Sequence, residues 1–212
     1  TSERGYLVSY AKTGSVTSSE IISYAREEGD VSNYATYDID IYSIVYNSIL
    51  EGERLEVSGL IFLPVGLNDQ LDIVQNHHGT IIPGDNGAIL STFGGGARGS
   101  VEMYFVGATV ACNGFVVSMP DYVGYGVSSQ REHPYTVHAE LAEESVDMLL
   151  ATNQLMEQLA ISFSGDVFLT GWSEGGGVGL ATHRLVQESY SDRFEIQASS
   201  LLAGPYDYYE FF

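Results

Sequence analysis

One cysteine in 212 residues leaves no partner for an internal disulfide and no thiolate cluster for zinc or iron–sulfur ligation. That residue, Cys112 in "GATVACNGF", reads as a small core side chain. Cations are scarce as well. Eight Lys and Arg face 28 Asp and Glu for a formal charge of -20, so a phosphate backbone or an anionic membrane surface is repelled and nucleic acid is excluded as a partner. The acids are spread along the chain, which reads as a solvated surface. No apolar run approaches the roughly 20 residues of a membrane span, so no membrane span is expected. No charged-then-apolar leader precedes the ordered pattern; any leader is expected to have been removed, and an extracellular or periplasmic location follows as an expectation.

What is present is ample for one domain: 44% hydrophobic residues and 24 glycines. Thr17 or Ser18 ahead of Glu20 and Ile21 marks a capped helix start, so residues 1–36 read as a helical extension and 37–212 as the sheet-forming part. "TYDIDIYSIVYNSILEGERLEVSGLIFLP" alternates through Ile39 and Ile41 against Asp38 and Asp40, turns at Glu51-Gly52-Glu53 and answers from Leu55 to Leu63, an antiparallel hairpin. After it strands and helices take turns: strand Leu71 to Asn76, helix Val101 to Cys112, strand Phe115 to Met119, helix Val137 to Leu159, strand Val167 to Thr170, helix Gly175 to Glu188, strand Ile196 to Ala203. That rhythm predicts an α/β fold with a mostly parallel sheet.

Between the strand at Val167 and the helix that follows lies Gly171-Trp172-Ser173-Glu174-Gly175, a G-x-S-x-G. A strand that reverses into a helix over so few residues strains its central residue and leaves its neighbours no room for side chains, so the serine hydroxyl is pushed outward. Ser173 is therefore the candidate nucleophile, with Gly171 and Gly175 supporting it. An N-capping serine in a tight turn is the plain alternative.

Two further patterns carry less. "GGGARG" gives Gly94-x-Gly96-x-x-Gly99, and Asp121 ends the next strand where a dinucleotide fold places its ribose acid; the strand required before it is doubtful, so a loop is expected and no cofactor. His77 and His78 are neighbours on a strand and point to opposite faces, so they cannot chelate one metal ion together.

The hairpin, the alternating strands and the stretches "QNHHGT", "MPDYVGYGVS" and "GWSEGG" resemble the α/β-hydrolase fold, in particular bacterial esterases and fungal secretory-lipase relatives, over about Asp38 to Asp207. The resemblance implies an oxyanion hole made by the backbone amides of Thr80 and Glu174, with Gly79 keeping the approach open and His78 structural beneath that loop. It also implies the chain order nucleophile, acid, histidine. After Ser173 the only histidine is His183, about 15 Å along a helix leading away. His133 and His138 precede the serine and would need a permuted order, and Asp207 is a weak candidate acid. The expectation is that the last strands, the acid and the histidine are absent from this chain and lie on a C-terminal continuation or second chain.

The expected function is carboxylic ester hydrolysis of an acyl ester, as an esterase or lipase, through an acyl-enzyme on Ser173. A serine peptidase or acyltransferase on the same scaffold, or an inactive hydrolase fold used for binding, are the alternatives.

Overall fold

The computed structural model describes residues 3–28, 35–81 and 103–207. The Gly94 to Gly99 pattern lies outside the described residues. Seven strands form one sheet: β1 (Leu7–Val16), β2 (Ile39–Leu50), β3 (Glu53–Pro64), β4 (Leu71–His77), β5 (Val116–Pro120), β6 (Phe163–Trp172) and β7 (Glu195–Leu202), in the order β1-β2-β3-β5-β4-β6-β7. The helices are α1 (Ser18–Glu28), α2 (Thr109–Ala111), α3 (His138–Gln158) and α4 (Glu174–Ser189). A π-helical turn, Met103–Ala108, leads into α2 where a regular helix was expected.

The sheet is mixed, which corrects the expectation of a mostly parallel one. The pairs β1/β2, β2/β3 and β3/β5 are antiparallel, while β5/β4, β4/β6 and β6/β7 are parallel. The expected hairpin is β2 and β3, in register from Ile39↔Pro64 to Leu50↔Glu53. Two features shift the balance. The first is β1, which the sequence does not announce because only Leu7 of its ten residues is buried, so it carries no apolar alternation. The second is the junction of hairpin and parallel half, where β3 runs against β5.

Alternation on the central strands sends side chains to both faces. Ile73 and Val116 join Val146, Leu149 and Leu155 of α3 on one side, and Val74 and Val117 join Ala108, Ala111 and Cys112 on the other. Helix α1 starts as its sequence predicts: Thr17 Oγ1 accepts from Glu20 N at 3.2 Å and Glu20 Oε2 accepts from Thr17 N at 2.8 Å, a reciprocal capping box. Because β4, β5 and β6 run parallel, their carboxyl ends open on one edge of the sheet, and the three loops leaving them meet there.

Candidate active site

Strand β6 hands over to α4 at Ser173, whose backbone sits at φ 54, ψ -126. A side chain in the left-handed region is uncommon and is held only by its surroundings. Here Ser173 N donates to Leu202 O at 2.9 Å, and Gly176 N donates back to Ser173 O at 3.0 Å. The glycines on either side are required by contact. A Cβ on Gly171 would meet the carbonyl of Gly175, and one on Gly175 would meet the carbonyls of His77 and His78.

The parallel register places His77 beside Gly171, so the loop leaving β4 lies next to the turn leaving β6. Burial pushes His77 down to about 4, against the opposing effect of its bond to Thr170 O at 3.0 Å. It is neutral, donates from Nδ1 and packs against the glycines of α4, with Gly179 beside its ring. His78 is turned elsewhere, its ring nitrogens 2.7 Å from Gly79 O and 3.0 Å from Asp121 O, and its ring lies 4.1 Å from that of Tyr122. Gly79 lies against the Trp172 indole. Thr80 is exposed, and its amide donates to no acceptor among the described residues. Glu174 opens α4, so its amide has no acceptor within the helix. Two backbone donors without internal acceptors thus leave neighbouring strands beside Ser173.

The loop after β5 is the third wall. Asp121 Oδ2 accepts from Ser58 Oγ at 2.6 Å and Tyr122 takes φ 68. Tyr125 Oη donates to Ile81 O at 2.9 Å; burial raises the phenol to about 12, so it keeps that proton. Further along the same loop, His133 Nε2 meets Glu174 Oε1 at 2.9 Å.

Among solved structures, the chain aligns with a candidate hydrolase of Legionella pneumophila at 26% identity and TM-score 0.82, over 95% of this chain and 53% of that one. A ligand-bound form of the rice cell wall degrading esterase LipA from Xanthomonas oryzae aligns at 26% identity and TM-score 0.81, over 96% of this chain and 51% of that one. Candida antarctica lipase A in its closed state shares the fold at 13% identity and TM-score 0.61, over 93% of this chain and 41% of that one. No family model and no curated protein matches the sequence. The chain has the α/β-hydrolase fold. It spans about half the length of the bacterial structures it matches.

The expectation that acid and histidine partners lie off the chain, on a continuation or second chain, is corrected. Histidine–carboxylate pairing occurs within the 212 residues, at His133 and Glu174. The loop that enters α3 folds back over the elbow, so order along the chain does not give order in space. Sequence reading treated Glu174 only as a backbone donor and dismissed His133 on chain order. His138 also reaches the elbow helix, its ring filling the space beside Gly177, one turn beyond Ser173. Burial lowers the His138 pKa, and the charge of Glu174 works in the other direction. His183 does not take part: it is bonded to Ser199 Oγ at 2.8 Å on the exposed side of α4. Asp207 lies past β7, exposed. The described residues contain no group of three or more potential metal ligands.

Proposed function

We propose that this α/β hydrolase cleaves carboxylic esters through an acyl-enzyme on Ser173. The observation that carries the reading is the strained φ 54 backbone of Ser173 at the junction of β6 and α4, stabilised by glycines whose side-chain positions are filled by β4 and by the elbow itself. Ser173 Oγ attacks the carbonyl carbon as its proton passes to a base, and the charge that develops on the carbonyl oxygen is received by the amides of Thr80 and Glu174. Collapse breaks the bond to the alcohol, which leaves protonated. Water then attacks the acyl-enzyme by the same steps in reverse, releasing the acid. Trp172, half exposed beside Ser173 and packed on Gly79, offers an apolar wall for the acyl part.

A histidine must take the proton, and the chain brings His133 and His138 to the elbow. His133 bonds to Val123 O and Glu174 Oε1 and not to Ser173; contacts between base and nucleophile are often long in an enzyme without substrate and tighten on binding. Both ring nitrogens of His133 are thus engaged, so replacing His138 by alanine tests whether it is the base, its loss then stopping acylation.

Kinship with an esterase described as degrading rice cell walls supports an ester substrate outside the cell, and an extracellular or periplasmic setting agrees with it. No described helix is long and apolar enough to cross a membrane. The test is covalent: a fluorophosphonate is expected to label Ser173, and Ser173→Ala to abolish p-nitrophenyl ester turnover. Labelling elsewhere, or turnover retained in the variant, overturns the reading. Labelling without turnover of esters, but with turnover of amides or acyl transfer, reassigns it within the fold.

A further inference from the structure

We infer that His133 is a positioning residue that holds both donors of the oxyanion hole, joined to Glu174 by a charge pair on one side and to the Thr80 loop through a tyrosine cage on the other. This rests on the proposed roles of Ser173, Thr80 and Glu174.

His133 Nδ1 lies 2.7 Å from Val123 O, and a carbonyl only accepts, so Nδ1 carries a hydrogen. Nε2 lies 2.9 Å from Glu174 Oε1, and Oε1 also accepts from Thr136 N at 3.3 Å. An oxygen that already receives one N–H is poorly placed to hold a proton of its own, so Nε2 donates too and the pair is imidazolium with carboxylate. Two independent features agree. Glu174 stands in the first turn of the 16-residue α4, where the helix dipole favours a negative group. The Tyr125 ring lies 4.8 Å from that of His133, within reach of a cation–π contact, with Tyr122 and Tyr135 further out at 6.1 Å and 6.3 Å.

The pair also answers a problem of charge. Glu174 is 2% exposed, and its Oε2 has no hydrogen-bond partner among the described residues. A bare buried carboxylate on the residue whose own amide faces the oxyanion would oppose the charge the reaction creates. His133 cancels it. The same imidazole reaches the other donor through its cage: Tyr125 Oη is bonded to Ile81 O at 2.9 Å, and Thr80 Oγ1 donates to Tyr135 Oη at 3.4 Å. Gly124, at φ 93, leaves the space into which the His133 main chain fits.

The test is p-nitrophenyl ester hydrolysis by the full chain carrying His133→Ala, Glu174→Gln, or both. His133→Ala is expected to lower kcat about 10- to 100-fold with KM nearly unchanged, less than the roughly 10²–10³ lost with a whole donor. Glu174→Gln alone is expected to lower kcat less than His133→Ala does, because the amide oxygen can take the place of Oε1 and accept from His133 Nε2 and Thr136 N. The double variant is expected to be faster than His133→Ala, since the uncompensated carboxylate has gone, a rescue that mere structural support would not give. An unaffected kcat, a loss confined to KM, or a double variant no better than His133→Ala overturns the inference. A fall of about 10⁴ or more with acylation abolished makes His133 the general base instead. Should the wild-type chain hydrolyse no ester, the functional reading fails. Amide hydrogen exchange then still decides the positioning role: His133→Ala is expected to speed exchange at both Glu174 and Thr80–Ile81, and unchanged exchange at Thr80–Ile81 overturns it.

Discussion

Gly175 lies against the main-chain carbonyls of His77 and His78, so the turn that carries Ser173 and the strand that carries the histidines are fitted to each other backbone to backbone. No flexible side chain lies between them to yield. Alanine at Gly175, or at Gly171 where the collision is with the Gly175 carbonyl, is therefore expected to cost at least about 1–3 kcal/mol and to remove ester turnover. Gly14 on β1 is the control, because a Cβ there meets nothing nearer than 3.8 Å. Gly14→Ala is expected to stay within about 0.5 kcal/mol of wild type in urea unfolding.

The oxyanion assignment makes a different demand. Since the donors are amides, the side chain of Thr80 contributes little, and Thr80→Ala is expected to change kcat only a few-fold. Thr80→Pro deletes the N–H and is expected to lower kcat by about 10²–10³ with the fold intact by circular dichroism. Equal, mild effects from the two substitutions would move the oxyanion hole away from this loop.

The elbow, the hairpin and every strand from β2 to β7 were legible because each carries a local signature: glycines around a serine, alternation, or a short apolar run before a turn. Strand β1 was not, because it lies at the sheet edge with nine of its ten residues unburied and so has no pattern to show. The balance of parallel and antiparallel pairing was missed for a related reason: β3 meets β5 only after the chain has passed through β4, and no local period records that neighbour. The His133–Glu174 pair was invisible in the same way, 41 residues apart and joined only when the loop before α3 folds over the elbow.

The Tyr125 hydroxyl is committed to Ile81 O, next to the Thr80 donor. Tyr125→Phe keeps the ring contacts with His78 and His133 and deletes that bond. The expected cost to stability is about 0.5–1.5 kcal/mol, as for a typical intramolecular hydrogen bond, accompanied by a several-fold lower kcat at unchanged KM. A substrate-binding role would instead raise KM, so the division between the two constants checks the assignment.

The last prediction concerns acids remote from the elbow. Glu144 of α3 is buried, receiving Val123 N at 2.8 Å and Tyr46 Oη at 3.2 Å. Burial raises its pKa from 4.5 to about 8, only partly offset by those bonds. Asp147, one turn on, is raised from 3.8 to about 6, again chiefly by burial and against the pull of Ser48 and Arg4. A raised carboxyl holds its proton in the folded chain at a pH where the unfolded chain has released it. Between the two values the folded state binds more protons, so stability falls as pH rises. The contribution is complete below the unfolded pKa and is lost as pH climbs through the folded one. Urea unfolding is therefore expected to show stability decreasing between pH 4.5 and about 8, at a rate of up to about 1.4 kcal/mol per pH unit for each group within its window. Glu144→Gln mimics the protonated form, able to donate to Tyr46 and accept from Val123, and is expected to flatten that slope while preserving the fold. A slope equal to that of wild type in Glu144→Gln would show that Glu144 is ionised in the folded chain and that the decline has another source.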